Sequence, residues 1–275
     1  MITAFITGKK TQDACVIACA RAAKAEIIPI GRYLKNGLHP KTQGVIFSGI
    51  LRGNALLMKE CLARGISYYY IDHAYFNAGY KSPNWMRFTK NGFVQNRIIT
   101  ANSTRWNQYF SCDIQPYKYK NQKDILVLPP SNAMRQTFDL DSWLPKTIEK
   151  LKKHTNRNII VRHKDGPVLK EDLINPDKWI KYNYPPLDEL WKKVYCVVAY
   201  NSNATIEALT RGIPVITTKH NAAWPVSNRI ENIEHLIEHN RQMLFDSLAW
   251  GQFNYKEIKS GFAFKYVNTK NQYRD

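Results

Sequence analysis

The sequence lacks any apolar run that approaches the roughly 18 to 20 residues needed to span a bilayer. No basic residue precedes the apolar residues of its start, MITAFITGKK, so this segment predicts a first strand and not a signal peptide. Acidic residues are also scarce: 22 Asp and Glu stand against 40 Lys and Arg, which gives a formal net charge of +18. We therefore expect a cytoplasmic protein without an integral membrane segment, for which peripheral association with an anionic membrane stays open.

Cysteine is sparse and shows no metal-binding spacing. The five cysteines are odd in number and include no CxxC pair, and no histidine lies near the two that are closest in sequence, Cys15 and Cys19. This pattern predicts reduced thiols and no structural zinc site. No motif requires a catalytic metal either, although a divalent ion as a cofactor stays open.

The excess of basic residues is concentrated in the first part of the chain. Residues 1–120 contain 17 Lys and Arg against 5 Asp and Glu, whereas the remainder contains 23 against 17. Such asymmetry indicates a polyanionic partner for the first part, either nucleic acid or an acidic membrane surface. Simple solubility is the alternative reading.

Short apolar runs alternate with amphipathic segments along most of the chain, which is typical of parallel sheets covered by helices. The pattern loosens between residues 77 and 120, where only 97–101 reads as a strand, and then restarts. Predicted strands lie at 2–7, 26–30, 44–49, 67–72, 124–130, 158–164, 195–200 and 214–218, and predicted helices at 13–24, 54–64, 141–154, 186–193, 203–211 and within 230–248.

Two successive units joined near residue 120 explain this alternation most economically. We expect an α/β protein of two Rossmann-like, doubly wound domains that face each other across a cleft. Residues 1–120 would form an acceptor-binding domain, 121–250 a donor-binding domain, and 251–275 a tail that packs back on the first domain. Ligands of such sheets bind beyond the carboxyl ends of the strands, so the site should lie between the domains.

The most specific string is VVAYNSNATIEALTRGIPVITT, residues 197–218. It reads as a buried strand, a polar turn, a helix opening at Asn203 and a second strand. Backbone N–H groups at the helix start favour an anion, and the hydroxyls of Ser202 and Thr205 extend that site. Glu207 lies where its carboxylate can accept hydrogen bonds from ribose hydroxyls. Ordinary helix capping by these polar residues is the structural alternative.

The string NSNATIEALTRGIPV resembles the C-terminal donor-binding signature of glycosyltransferases built from two Rossmann-like domains, the GT-B-like enzymes. The resemblance covers about residues 124–250 and extends to the first half only in architecture. It implies a nucleotide-sugar donor, a UDP-sugar first, with the diphosphate at the Ser/Thr-rich helix start and the ribose at Glu207. A second acidic residue that many such enzymes carry further along is replaced here by Val215.

Further donor-binding candidates follow predicted strands of the second half. Arg162 and Lys164 end the strand in VRHKDG, where cations would neutralise a diphosphate leaving group. Ser131 and Asn132 occupy the first strand-to-helix turn, in LPPSNAM, a position that faces a phosphate or base, and His220 lies in a loop after the last strand. Solvent-facing charges at a strand end are the alternative for the two cations.

Glycosyl transfer also requires a group that deprotonates the acceptor hydroxyl. The best candidates are Asp72 and His73, where the tyrosine-rich strand in YYYIDHAYF ends. Either Asp72 is the base, or His73 is the base and Asp72 orients it. In the structural alternative Asp72 caps a turn and His73 is a satisfied, partly buried histidine.

A basic and aromatic stretch between residues 77 and 120 indicates an acceptor surface. Seven cations and nine aromatic residues are interleaved there with one acid, Asp113. Cations track phosphates and aromatic faces support an unstacked base, whereas a core with a charged rim is the alternative. Acceptor- or phosphate-binding candidates are Lys9, Lys10, Arg52, Lys81, Arg87 and Lys90.

The combination loosely resembles bacteriophage enzymes that glycosylate hydroxymethylated bases in DNA, which implies DNA as the acceptor and the host cytoplasm as the location. Within the same fold, the alternative is a glycosyltransferase of capsular or lipopolysaccharide synthesis. From another class, the protein could be a non-catalytic DNA-binding protein. The particular sugar, the stereochemical outcome and the oligomeric state are not encoded in any motif.

Overall fold

A computed structural model of the protein describes residues 1–76 and 85–270, which contain two mainly parallel sheets covered by helices. The first sheet has six strands in the order β12-β5-β4-β3-β1-β2. Its parallel part, from β2 to β4, is extended by β5 and β12, which run antiparallel to their neighbours. The strands are β1 (Ile2–Ile6), β2 (Glu26–Pro29), β3 (Gly44–Ser48), β4 (Ser67–His73), β5 (Trp85–Lys90) and β12 (Gln252–Asn254).

Helices cover both faces of the first sheet because its central strands are apolar on both sides. Val45, Ile46 and Phe47 of β3, for example, are completely buried. One face packs against α1 (Lys10–Ala22), α10 (Tyr255–Lys259) and α11 (Phe262–Thr269). The other packs against α2 (Ile30–Asn36) and α3 (Asn54–Arg64).

The second sheet has four parallel strands in the order β11-β10-β6-β7. Its elements are β6 (Asp124–Leu128), α5 (Asn132–Thr137), α6 (Trp143–His154), β7 (Asn158–Val161), α7 (Leu187–Trp191), β10 (Val194–Ala199), α8 (Ala204–Thr210) and β11 (Val215–Thr217). Between the two sheets along the chain lies α4 (Thr104–Tyr109), and α9 (Gln242–Ala249) follows β11.

The parallel parts of both sheets have the same strand order. Numbered within each sheet by chain order, both run second, first, third, fourth. The direction of winding therefore reverses between β1 and β3 in the first sheet and between β6 and β10 in the second. In doubly wound sheets, ligands bind at such switch points, beyond the carboxyl ends of the strands. Each of the two sheets has one switch point.

The structure differs from the sequence prediction at several places. The segment 97–101 is not a strand, and β5, which pairs with β4, was not predicted. The hairpin β8 (Gly166–Leu169) and β9 (Pro176–Ile180) was also missed. The region 230–248, predicted as helical, contains a short 3-10 helix at Ile230–Asn232 and is α-helical only from Gln242.

The two sheets share one apolar cluster. Phe76, Trp106 and Phe110 pack there with Leu126, Leu209 and other residues of the second sheet. The ring of Trp106 stacks on Phe245 of α9 at a centroid distance of 5.3 Å. Because this cluster is buried and continuous, it holds the two sheets against each other.

A buried arginine joins α4 to the segment that returns to the first sheet. Arg105 is 5% exposed and forms two charge-assisted hydrogen bonds, of 2.6 and 2.7 Å, with the carboxylate of Glu257. Its remaining donors bind the carbonyl oxygens of Ala249 and Gln252, at 2.7 and 2.8 Å. The guanidinium therefore fixes the path of the chain into β12 and α10.

The connection between the sheets passes directly over the turn that ends α8. Gln115 N–H donates to the carbonyl of Thr210, and Lys118 N–H donates to that of Gly212. Gly212 has φ +75°, and a Cβ built there would lie 2.0 Å from the carbonyl oxygen of Pro116. Glycine is therefore required at this position, because the backbone is left-handed there and because a side chain would overlap the backbone of Pro116.

We expect Gly212→Ala to lower the free energy of unfolding by about 2–5 kcal/mol, since a left-handed alanine is strained and its methyl group would displace backbone. Gly65→Ala is the matched control, with φ +64° but no atom within 4 Å of the added Cβ. It should cost only about 1–2 kcal/mol. Urea unfolding of both variants measures the difference, and equal losses would contradict the linker contact.

Candidate active site

Buried polar atoms without a hydrogen-bond partner concentrate at the carboxyl ends of the strands. Nine such side-chain atoms occur in the described part of the chain, and five lie at this edge of one sheet or the other. Buried polar groups are nearly always satisfied, so each of these atoms marks a place where an ordered water or a polar ligand can bind. The five are Ser48 Oγ, Asn54 Oδ1, Arg87 Nε, Asn132 Nδ2 and Thr217 Oγ1.

The sequence analysis selected Arg87 and placed Asn132 in a turn that faces a phosphate or base, but it did not select Ser48, Asn54 or Thr217 as binding residues. Ser48 and Asn54 flank the turn after β3, and Asn132 follows β6, so these three border the two switch points. Their signal was present in the sequence, since each is a small polar residue at a strand end or helix start. Thr217 was hidden in the apolar run of β11.

A direct hydrogen bond joins the carboxyl edges of the two sheets. Nδ2 of Asn203, which precedes α8, donates to the carbonyl oxygen of Ala74 at 2.9 Å. Ala74 immediately follows β4, and its neighbour is His73. The turn after β10 therefore lies against the end of β4, with Asn203, a predicted donor-binding residue, next to the backbone that follows His73, a predicted catalytic residue.

The imidazole of His73 is surrounded by charges from both sheets. Burial lowers its pKa below the usual 6.5, Asp72 raises it, and the cations Arg87, Lys164 and Lys9 lower it further. The sum is a pKa below 6.5, which favours the neutral imidazole at neutral pH. A neutral imidazole can accept a proton, which is what a general base requires.

Asp72 is bound on both of its carboxylate oxygens. Oδ2 accepts hydrogen bonds of 2.7 Å from the hydroxyl of Tyr70 and from the guanidinium of Arg87, and Oδ1 accepts the backbone N–H of His73 at 2.8 Å. Burial acts to raise the pKa of Asp72, but Arg87, His73 and these hydrogen bonds lower it overall. A carboxylate held in this way is a weak base. The geometry favours His73 over Asp72 as the base.

Thr205, predicted to contact the donor, is fully buried. Its hydroxyl lies 2.8 Å from the carbonyl oxygen of Ser202 and 2.9 Å from Oδ1 of Asn221. Asn221 in turn donates to Ser202 O. Thr205 therefore fixes the loop after β10 from inside and does not present its hydroxyl to a ligand, whereas Ser202 itself is partly exposed.

Glu207, predicted to bind ribose, faces α7. Its Oε1 accepts hydrogen bonds from the indole N–H of Trp191 at 2.9 Å and from the guanidinium of Arg211 at 3.0 and 3.1 Å. The carboxylate is 42% exposed. One oxygen is thus used within the protein, and a ribose would have to bind at the other.

The remaining donor-binding candidates occupy the edge of the second sheet in different ways. The guanidinium of Arg162 donates to the carbonyl of Pro185 at 2.6 Å, which directs it toward the segment after β9. Ser131 caps α5 through a long hydrogen bond from Met134 N–H, of 3.5 Å. The ring of His220 stacks on Tyr200, the residue after β10, and Lys164 is exposed.

A carboxylate of the protein itself binds the backbone of the loop after β1. The carboxylate of Asp13 accepts the backbone N–H groups of Thr7 and Gly8 at 3.0 and 2.7 Å. These are the groups that a bound phosphate would use at this switch point. Lys9 and Lys10 remain exposed beside it, so a phosphate there would be bound by their side chains alone.

The turn after β3 is held in an uncommon backbone conformation. Gly49, Arg52 and Gly53 all have positive φ, of 63°, 61° and 93°. For arginine this conformation is unfavourable, and such residues cluster at functional sites. Arg52, a predicted phosphate-binding residue, is therefore presented by a strained turn at the first switch point.

The basic and aromatic stretch that was predicted as an acceptor surface is mostly core. Phe88, Trp106, Phe110 and Tyr119 are buried, and of the aromatic residues described between 85 and 120 only Tyr109 is largely exposed. Trp106 and Phe110 pack in the cluster between the sheets, Phe88 in the core of the first sheet and Tyr119 in that of the second, so these rings are not available to an acceptor.

Two cations of the same stretch also have structural partners. Arg87 pairs with Asp72, and Lys90 donates to Asn268 at 2.9 Å and lies over the ring of Tyr69. Arg87 therefore does not present its charge to an acceptor phosphate, because the ion pair neutralises it. Lys81 lies outside the described residues.

Neither a metal site nor a membrane span occurs in the part of the chain that the structure describes. No three His, Cys, Asp or Glu side chains within 1–76 and 85–270 lie close enough together to hold a metal ion. Within those same ranges, no helix has the length and apolar character needed to cross a bilayer.

No protein-family profile and no curated protein sequence matches this chain. Among solved structures it is similar to two transferases from Thermosulfurimonas dismutans. The first, a KpsC β-Kdo 2,7 transferase, has 12% identity and a TM-score of 0.44 over 98% of this chain and 99% of its own. The second, a KpsC β-Kdo 2,4 transferase, has 12% identity and a TM-score of 0.45 over 90% and 89%. Similarity at this level does not establish a common activity.

The charges around His73 predict how its pKa responds to substitution. In the wild-type protein we expect an imidazole pKa below 6.5. Lys164→Gln and Lys9→Gln each remove a positive charge and should raise it, whereas Lys10→Gln is the adjacent control and should not. Histidine NMR titration, assigned with His73→Gln, measures these values. If the pKa of His73 is unchanged in both test variants, Lys164 and Lys9 lie too far from the imidazole to influence it.

The Arg87–Asp72 pair should stabilise the fold at neutral pH. Both side chains are mostly buried, so we expect Arg87→Leu to cost about 3–5 kcal/mol by leaving a buried carboxylate unpaired. Because the pKa of Asp72 is lowered, this stabilisation is present above 3.8 and is lost as pH falls through the still lower folded value. The difference in free energy of unfolding between the wild type and Arg87→Leu should therefore be smaller at acidic pH.

Arg64→Leu is the matched control for that experiment. It removes a partly exposed pair with Glu60 within α3 and should cost less than about 1 kcal/mol. Urea unfolding at neutral and acidic pH compares the two variants. A deficit for Arg87→Leu that is small, or that does not change with pH, would show that the pair contributes little.

Proposed function

We propose that this protein is a glycosyltransferase that moves a sugar from a nucleotide-diphosphate sugar to a hydroxyl group of an anionic acceptor. The observation that carries the proposal is the meeting of the two strand-end edges, at the hydrogen bond between Asn203 and Ala74. Unsatisfied polar atoms lie at the same strand ends, and His73, which adjoins Ala74 in sequence, has a lowered pKa. The resemblance of NSNATIEALTRGIPV to a donor-binding signature supports the same reading.

In this proposal His73 is the general base. It takes the proton of the acceptor hydroxyl as that oxygen bonds to the anomeric carbon and the bond to the diphosphate breaks. Asp72, held by Arg87 and Tyr70, fixes the backbone of His73 through its hydrogen bond to the amide. Lys164 lies within electrostatic range of His73 and would stabilise the charge of the departing diphosphate.

The nucleotide would bind at the switch point of the second sheet. Ser131 and Asn132 follow β6, Ser202 and Asn203 follow β10, and these strands are neighbours. Nδ2 of Asn132 is buried and unsatisfied, which suits a donor to a phosphate or base oxygen. Glu207 offers its unused carboxylate oxygen to ribose. UDP-sugars are the first donors to test.

Of the two predicted acceptors, an acidic glycan now fits better than a hydroxymethylated base in DNA. An extruded base needs accessible aromatic faces, and most of the described aromatic residues proposed for that role are in the core. Exposed cations still flank the site, at Lys9, Lys10 and Lys164. They suit carboxylate or phosphate groups on a sugar chain.

A thermal-shift screen of nucleotide sugars tests the donor. We expect one of them to raise the melting temperature, and Glu207→Ala and Asn132→Ala each to weaken its binding by about 1–3 kcal/mol. Glu149→Ala is the control and should bind normally, since this exposed glutamate of α6 pairs with Lys153 and with no other cation of the described residues. No stabilisation by any nucleotide sugar would contradict the proposal.

The stabilising donor is then incubated with acidic oligosaccharides and with hydroxymethylated DNA, and the products are analysed by mass spectrometry. We expect transfer to the oligosaccharide. His73→Gln should retain donor binding and reduce turnover at least about 100-fold. Full turnover in this variant would place the base elsewhere, and transfer to DNA alone would reverse the choice of acceptor.

A further inference from the structure

One surface of the first sheet carries a group of exposed cations without ionic partners. Arg21 and Lys24 lie at and just after the end of α1, and Lys256, Lys259 and Lys265 lie on α10 and α11. These elements pack together, since α1 contacts α10 and a Cβ at Gly261 would lie 3.3 Å from Ala22. We call this group the C-terminal basic face. None of its five cations has a carboxylate within ion-pair distance among the described residues.

The acids within these helices are committed to internal contacts. Asp13 of α1 is buried and accepts the amides of Thr7 and Gly8. Glu257 of α10 is held by Arg105 on both oxygens. Neither carboxylate offsets the charge at the surface, so the C-terminal basic face has a net positive field that attracts an anionic partner.

Exposed aromatic rings accompany these cations. Tyr255 at the start of α10 and Phe262 at the start of α11 are 44% and 41% exposed. Each is flanked in sequence by the lysines of the face, Lys256 and Lys259. The ring of Phe262 also contacts the rings of Phe253 and Tyr266, at centroid distances of 6.0 and 6.2 Å. These contacts fix the orientation of the partly exposed ring.

We propose that the C-terminal basic face docks on the surface of an anionic lipid membrane. The cations complement lipid phosphates, and the rings of Tyr255 and Phe262 enter the interface between head groups and acyl chains. A lipid surface accounts for both features, since its phosphates attract the cations and its acyl chains accept the two exposed rings. The proposal does not depend on the glycosyltransferase assignment.

Vesicle co-sedimentation of the whole protein tests this docking. We expect binding to vesicles that contain phosphatidylglycerol, weakening with salt, and little binding to pure phosphatidylcholine. Replacing Lys256, Lys259 and Lys265 by Gln should weaken binding roughly fivefold per lysine, or about 100-fold together. The pair Tyr255→Ser and Phe262→Ser should weaken it at least about tenfold.

The control removes the same charge elsewhere. Lys146, Lys152 and Lys192 are exposed and, among the described residues, have no ionic partner, so their replacement by Gln should change binding only a few-fold through net charge. Thermal unfolding checks that each variant is folded. An equal loss in the control, equal binding to neutral vesicles, or no binding would overturn the proposal.

Duplex DNA serves as the rival partner. DNA binding that fails in the lysine variant and is normal in the aromatic variant, without vesicle binding, would also overturn membrane docking. Nucleotide-sugar stabilisation is measured in the same variants and should be unchanged. Failure of that stabilisation in every variant and in the wild type would reject the proposed activity and leave the docking result standing.

Discussion

The apolar cluster shared by the two sheets is the constraint on which the site depends. Phe76 and Trp106 from the first part of the chain pack against Phe245 from the last, so the carboxyl edges of both sheets are held close together. Only because the sheets are held in this way can a single side chain, Asn203, hydrogen-bond across to the end of β4. The chain is further secured by Arg105, which ties α4 to the return strand β12.

The ion pair at the end of β4 gives the site its electrostatic character. Arg87 lies on β5, directly opposite Asp72 in the antiparallel register, and its charge opposes the rise in the pKa of His73 that Asp72 causes. Burial lowers that pKa most, and the cations add to the effect. A strand pairing thus contributes to the difference in basicity between two adjacent residues.

The sequence was informative wherever local pattern determines structure. Runs such as GVIFS are apolar throughout and are followed by turn residues, so the parallel strands and the strand-end position of His73 were predictable. The strand WMRFTK was not, because it forms only by pairing with β4 and β12, and β12 lies far along the chain. The burial of Trp106 has the same cause, since its partner Phe245 belongs to a distant helix. Composition alone therefore predicted surface positions for aromatic residues that tertiary contacts bury.

Asp13 makes the two sheets chemically unequal although their strand orders match. Its carboxylate satisfies the amides after β1 from within the chain, whereas the corresponding turn of the second sheet leaves Nδ2 of Asn132 unpaired. In the proposed reaction, a diphosphate at the first switch point would have to compete with the Asp13 carboxylate for these amides, whereas at the second it would meet an unpaired donor. The two sheets therefore share a strand order but differ in what the turns at their strand ends are able to bind.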